Sequence, residues 1–210
     1  TTRVARILGE NELMPMPANG NNPQKAVPKK DRKKEGAEEA IYRALALRHM
    51  ELPVGDFITD ALEKNVPDSA KALLISNVRD EENHDLALGY IANAYGVDPK
   101  AEKEALALQK AWIEHPDHTI VKAMVAERAI FFVLLPFFRA NGDAGMRTVS
   151  ADISRDEQVH VACNSLLVKE LGLEISPSLD KLRKATINWV MQPLKHKDPV
   201  RKLDKNFWLD

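Results

Sequence analysis

Two hexapeptides with the same pattern, Arg-Asp-Glu-x-x-His, constrain the fold of this 210-residue chain more than any other feature. They occupy residues 79–84 and 155–160. Each lies within a long stretch whose apolar residues recur at helical spacing, so each predicts a Glu and a His one turn apart on one helix face. Such a pair can bind one ion through a carboxylate oxygen and an imidazole nitrogen. The repeat therefore predicts two helices that direct the same chemistry toward a shared interior.

The rest of the pattern is helical nearly throughout, and it contains no convincing pair of strands. Proline and glycine signals divide it into six expected helices, over residues 35–65, 67–95, 98–115, 117–140, 143–171 and 178–191. Pro53 and Pro136 are expected to kink or break the first and fourth of these. The sequence thus predicts an all-α fold, a four-helix bundle with additional short helices.

Helical bundles that bind two metal ions join two Glu-x-x-His pairs with one Glu from each of two other helices. Residues 37–42 resemble residues 126–131, and each segment carries a Glu beside an apolar stripe. A lone Glu in such surroundings would be costly to bury, and a metal ion removes that cost. Glu35 and Glu51 are lower-ranked substitutes for the first of these Glu residues. The predicted ligands are Glu38, Glu81, His84, Glu127, Glu157 and His160.

Four carboxylates with two imidazoles suit iron or manganese better than magnesium or zinc. We therefore expect two iron ions, two manganese ions or a mixed pair. Asp80 and Asp156 directly precede two of the ligands, and a carboxylate commonly orients a metal-bound imidazole. We expect Asp80 to support His160, and Asp156 to support His84. The alternatives are Arg–Asp pairs at the surface and, for the whole pattern, Glu-x-x-His motifs exposed on helices.

Residues 124–171 resemble the small, radical-generating subunit of class I ribonucleotide reductase, within the ferritin-like dimetal-carboxylate superfamily. Residues 126–132 (Ala-Glu-x-Ala-Ile-Phe-Phe) and 153–160 (Ile-Ser-Arg-Asp-Glu-x-x-His) carry the resemblance. It implies a ferritin-like four-helix bundle whose iron or manganese pair reacts with O2. In that family the radical-bearing tyrosine lies one turn after the first motif's His, and here that position is Leu88.

Two further features bear on the reductase comparison. Tyr42, one turn after Glu38, is a substitute candidate for a redox residue, although structural packing is the favoured interpretation. The family's subunit is also usually much longer and docks on a large catalytic partner through a flexible tail. Residues 207–209 match such a tail only loosely.

The favoured function is an oxidoreductase that activates O2 to oxidise a substrate or a redox residue. The alternatives are a radical donor to a reductase, ferritin-like iron oxidation and storage, and a non-enzymatic helical interaction module. Expected partners are O2 and an unidentified small molecule or protein, with a homodimer left open and nucleic acid not favoured.

Composition and charge patterning complete these expectations. The single cysteine, Cys163, excludes an internal disulfide, and a cytoplasmic location is expected. The longest apolar run, residues 129–138, is far too short to cross a membrane. The chain divides into a loosely ordered basic arm (1–34), the dimetal-binding helical region (35–192) and a basic, aromatic tail (193–210).

Overall fold

The computed structural model describes residues 36–64 and 66–194, and this part of the chain is helical without strands. The expected arm (1–34) and all but the first two residues of the expected tail lie outside the described residues. The described α-helices are α1 (Ala37–Ala46), α2 (Glu51–Leu62), α3 (Asp68–Tyr95), α4 (Pro99–Ile113), α5 (Thr119–Val125), α6 (Phe132–Asn141), α7 (Ala144–Glu170) and α8 (Pro177–Met191). The all-α prediction is confirmed for these ranges.

Local sequence explains where several helices begin and end. The Asp98 side chain accepts hydrogen bonds from two backbone N–H groups at the start of α4, and Asp143 accepts one at the start of α7. The Ser176 hydroxyl does the same for α8. These caps satisfy N–H groups that have no partner within the helix. Helix α3 ends at Gly96, whose φ of 100° lies outside the helical range. Glycine adopts this conformation readily, whereas a residue with a Cβ rarely does.

Two of the expected helices are interrupted. A 3-10 turn, Leu47–Met50, separates α1 from α2, and a π turn, Ala126–Phe131, separates α5 from α6. Pro53 is therefore not the break that the sequence suggested. It lies in the first turn of α2, where a missing N–H costs no helical hydrogen bond.

Four helical segments surround a common interior. Helix α2 packs along α3, α3 packs against α7, and α5, the π turn and α6 pack against α7. Helices α4 and α8 lie beside α1. Most buried side chains form one apolar cluster, but carboxylates and imidazoles are buried among them. None of the described helices is long and apolar enough to span a membrane.

Candidate metal centre

Six buried ionisable side chains from the four central segments meet in the interior. Helix α2 provides Glu51, α3 provides Glu81 and His84, the π turn provides Glu127, and α7 provides Glu157 and His160. Their ligand atoms form two groups, each with all its atoms within 4.8 Å of one another. One group is Glu51, Glu81, His84 and Glu157, and the other is Glu81, Glu127, Glu157 and His160. These groups could each hold a metal ion, and they share Glu81 and Glu157.

The two shared carboxylates lie between the imidazoles. Glu81 Oε2 is 3.8 Å from His84 Nδ1, whereas Glu81 Oε1 is 3.2 Å from His160 Nδ1. Glu157 Oε1 is 3.2 Å from His84 Nδ1 and 3.6 Å from His160 Nδ1. The centroids of the two rings are 5.9 Å apart. Glu81 therefore offers a different oxygen to each half of the centre, as a bridging carboxylate does.

Each imidazole also faces an aspartate on the opposite helix. His84 Nε2 lies 3.5 Å from Asp156 Oδ2, and His160 Nε2 lies 3.2 Å from Asp80 Oδ2. This crossed arrangement is the one expected from the sequence, and it leaves Nδ1 of each ring directed toward the carboxylates. The side chains of Asp80 and Asp156 are 33% and 21% exposed, so they lie where the centre approaches solvent. A carboxylate in this position fixes the ring and makes its other nitrogen a better ligand.

The structure does not place Glu38 in the centre, so that prediction is wrong. Glu38 is exposed in the first turn of α1, whose buried face carries Ala37, Ala40 and Ile41. Glu51 occupies the expected position instead. The 3-10 turn changes the rotation per residue between these two Glu residues, so a stripe extrapolated through it loses its phase.

A signal for Glu51 is present in the sequence. Glu51, Val54 and Ile58 recur at helical spacing, and all three are fully buried. The stripe counted from Glu38, by contrast, ends on Leu52, which is 48% exposed. The lower-ranked substitute Glu35 lies outside the described residues.

Tyr42 lies away from the ligands. Its ring packs edge-to-face on Tyr95, with centroids 5.4 Å apart. Tyr95 follows His84 by eleven residues on α3, which is about 16 Å along the helix axis. Burial, followed by the charge of Glu38, raises the pKa of Tyr95 to about 12. The position one turn after His84 is a buried Leu88.

Two asparagines belong to the site although the sequence reasoning missed them. Asn77 Nδ2 donates a hydrogen bond to Glu127 Oε1 at 3.1 Å, and Asn164 Nδ2 donates to Glu127 Oε2 at 2.6 Å. Both side chains are buried. Asn77 lies one turn before Glu81, and Asn164 lies one turn after His160, so each shares a helix face with its motif. That spacing was the available signal.

Burial and mutual charge shift the pKa values of the carboxylates. Burial, assisted by the charges of neighbouring carboxylates, raises the pKa of Glu51 and of Glu127 well above the ordinary value. Burial also opposes ionisation of Glu81, but the two imidazoles outweigh it and lower its pKa to about 2. Each of these carboxylates is therefore influenced by the charges of its neighbours across an interior of low polarity.

The carboxylates also shift the pKa values of the two imidazoles. Burial opposes protonation of both rings, yet the surrounding carboxylates raise the pKa of His84 well above the ordinary value and that of His160 to about 12. Among the carboxylates, Asp156 raises the pKa of His84 most, and Asp80 raises the pKa of His160 most. Each ring therefore sits in a strongly negative environment, which also favours a bound cation.

The donor set fits two cations. Within the described part of the chain, both oxygens of Glu51, Glu81 and Glu157 and Nδ1 of both imidazoles are buried without a hydrogen-bond partner. Buried polar atoms are nearly always hydrogen-bonded, whereas these ligand atoms only face one another, an arrangement that bound cations would satisfy. Metal ions would engage the carboxylate and imidazole atoms together.

Comparison with known proteins does not assign a family. No family model and no solved structure matches the chain. The small ribosomal subunit protein bS16 of Pelagibacter ubique is 75% identical over 40 residues, which are 19% of this chain and 23% of that protein. The chain thus covers about a quarter of that relative. A match of 40 residues cannot contain all six ligand residues, which extend from Glu51 to His160.

Proposed function

We propose that this chain is a dimetal-carboxylate oxidoreductase that activates O2. In this proposal Glu51, Glu81, His84, Glu127, Glu157 and His160 hold two iron ions, two manganese ions or one of each. The observation that carries the proposal is the pair of overlapping, buried ligand groups that share Glu81 and Glu157. When bound, the ion pair would supply the redox chemistry by which O2 oxidises a substrate or a redox residue.

The arrangement of helices supports a ferritin-like bundle. In the dimetal bundle template, two helices each provide a Glu-x-x-His pair and two others each provide a Glu. Here α3 and α7 fill the first role, while α2 and the π turn between α5 and α6 fill the second. A π turn that carries Glu127 agrees with this proposal because such turns are frequent at functional sites.

The protein's own groups have three tasks in this proposal. The four carboxylates neutralise the charge of two divalent ions, which lowers the free-energy cost of burying the carboxylates and the ions. Asp80 and Asp156 accept a hydrogen bond from Nε2–H of the opposite imidazole and keep Nδ1 directed inward. The apolar residues of the π turn, including Ile130 and Phe131, exclude water from the centre.

Iron and manganese are proposed because the ligand set mixes oxygen and imidazole nitrogen without sulfur. Thiolates favour zinc or iron–sulfur clusters, and all-oxygen sites favour magnesium or calcium. Cys163 is half-buried and is not among the candidate ligands.

Metal analysis tests the proposal directly. Protein purified after growth in metal-replete medium is expected to contain about two iron or manganese ions per chain. Adding O2 to the chemically reduced protein should then change its near-ultraviolet and visible absorption. Fewer than about one transition metal per chain, with no optical change, would overturn the proposal in favour of a helical interaction module.

A matched pair of variants in one motif makes the test specific. Glu81→Gln removes one of the two carboxylates shared by both ligand groups and should abolish binding of the ion pair. Glu82→Gln, at the exposed neighbouring position, should leave metal content unchanged. Equal loss in both variants would indicate a general effect on folding.

Two further measurements separate the remaining alternatives. A cage-sized particle in sedimentation of the metal-loaded protein would favour ferritin-like storage over oxidation of a substrate. An organic radical in electron paramagnetic resonance after aerobic iron loading, together with a co-purifying reductase subunit, would favour the radical donor.

A further inference from the structure

Glu127 differs from the other carboxylates of the centre because amides already bind both of its oxygens. Asn77 and Asn164 each donate one hydrogen bond, at 3.1 and 2.6 Å. The oxygens of Glu51, at the other end of the centre, have no hydrogen-bond partner among the described residues. The two halves of the centre are therefore inequivalent, although each contains one imidazole and the shared pair of carboxylates.

The two asparagines lie at the same end of the centre. Asp80 faces His160 and Asp156 faces His84, so α3 and α7 run antiparallel. Asn77 precedes Asp80 along α3, and Asn164 follows His160 along α7, which brings both amides to the end that contains the π turn. Amides from two different helices thus hold one carboxylate from a third segment.

Packing alone does not account for these amides. Asn77 and Asn164 are buried, and in the described structure each leaves its Oδ1 atom without a hydrogen-bond partner. Burying an amide without satisfying its oxygen costs free energy that an apolar side chain of similar size would avoid. The hydrogen bonds that the two side chains donate to Glu127 offset this cost.

We propose that Asn77 and Asn164 are positioning residues that orient Glu127 for the second ion of the pair. This inference rests on the proposed function. A carboxylate oxygen that accepts one hydrogen bond keeps another lone pair for a cation, so the amides hold Glu127 in place without blocking it. Binding at the Glu127 half therefore depends on the asparagines, whereas binding at the Glu51 half does not.

Titration of metal-depleted protein with Mn(II) tests this inference. Free Mn(II) is counted by electron paramagnetic resonance, and the bound ions are examined for the spectrum of a coupled pair. The wild type should bind about two ions. Asn77→Leu and Asn164→Leu keep the branched shape of the side chain but remove the donor, and each should weaken binding of the second ion about tenfold to a hundredfold. The first ion should bind as in the wild type, with the spectrum of an isolated Mn(II) where the wild type shows a coupled pair.

Thr186→Val provides the matched control. Thr186 is fully buried and hydrogen-bonds with Trp112, outside the centre, so its loss perturbs a buried polar contact without touching Glu127. Both ions should bind this variant as they bind the wild type. If a leucine variant lacks the wild-type far-ultraviolet circular dichroism, the alanine variants remove the same donors without adding bulk.

The outcomes separate this inference from the proposed function. A wild type that binds no ion pair overturns both. A wild type that binds two ions, with asparagine variants that bind both equally well or weaken both equally, overturns only the role of Asn77 and Asn164. Weakening of the second ion by Thr186→Val to the same extent would also overturn it.

Discussion

Glu51 is fully buried in the first turn of α2, and its oxygens accept no hydrogen bond within the described structure. A carboxylate in such surroundings costs several kcal/mol to keep ionised unless a cation or donors compensate. The oxygens of Glu81 and Glu157 are likewise buried without a hydrogen-bond partner in the described structure, although the imidazoles favour the ionised form of Glu81. At the scale of single residues, the interior therefore carries a concentration of acceptor atoms that a packed apolar core would not contain.

Glu51 and Glu38 provide a direct comparison of two side chains on neighbouring helices. Glu51→Gln should reduce the metal content from about two ions to about one, because an amide is a much weaker ligand than a carboxylate. Elemental analysis of the purified variant measures this. Glu38→Gln, at an exposed position, should retain the wild-type content. The reverse result would place Glu38 in the centre and exclude Glu51.

The aspartates that face the imidazoles carry a second prediction. Asp80→Asn and Asp156→Asn should lower metal affinity by about tenfold to a hundredfold, because an amide no longer orients the ring or increases its basicity. Competition with a chelator of known affinity measures the change. Asp68→Asn, at an exposed position at the start of α3, is the control that should behave as the wild type. Wild-type affinity in Asp80→Asn and Asp156→Asn would exclude this supporting role.

At the scale of elements, α4 holds the 3-10 turn that directly precedes Glu51. Arg48 forms a bidentate ion pair with Glu102, with N–O distances of 2.7 and 2.9 Å, and His49 Nε2 lies 2.7 Å from the same carboxylate. Gln109 Nε2 donates to the backbone oxygen of His49 at 2.5 Å. These contacts fix the turn, and so they also fix the direction in which α2 begins.

Glu102 makes this contact dependent on pH. Burial opposes its ionisation, but Arg48 and His49 outweigh burial and hold the pKa of Glu102 below the ordinary value. The contact therefore contributes its full stability above the ordinary pKa of about 4.3 and loses it as the pH falls through the lower, folded-state value. Glu102→Gln should lower the free energy of unfolding by about 1–2 kcal/mol at pH 7.

Urea unfolding at several pH values checks this prediction. The difference between Glu102→Gln and the wild type should shrink as the pH is lowered below about 4. Glu104→Gln is a useful comparison on the same helix, since Glu104 accepts a hydrogen bond from Trp189 and does not contact the 3-10 turn. A Glu102→Gln difference that stays constant with pH would contradict the assignment.

The same elements show what the sequence could and could not predict. Proline, glycine and capping side chains marked the ends of α3, α4, α7 and α8, and the repeated motif identified the ligands on α3 and α7. The 3-10 and π turns left no such mark, because apolar spacing is counted at a constant rotation per residue. Glu38 is predicted from the likeness of residues 37–42 to residues 126–131 and from the apolar stripe beside it, yet its side chain is exposed. Asn77 and Asn164 were missed because amides carry no charge that needs compensation.

At the scale of the whole molecule, metal binding and folding should be coupled. The ligands come from segments between residues 51 and 160, which approach one another only in the folded chain. An ion that binds the folded state alone adds about 2.7 kcal/mol of stability at a concentration one hundred times its Kd. Chelation should therefore lower the Tm of the wild type and leave that of Glu81→Gln nearly unchanged, as measured by calorimetry. An identical shift in both would contradict the coupling.

The crossed contacts of Asp80 with His160 and of Asp156 with His84 also restrict sliding between α3 and α7. Because the helices run in opposite directions, displacing one by a single turn, about 5.4 Å along its axis, would separate both pairs at once. The same displacement would carry Glu157 away from Glu81. The ligand cage therefore assembles only when the two longest described helices are correctly aligned along their axes.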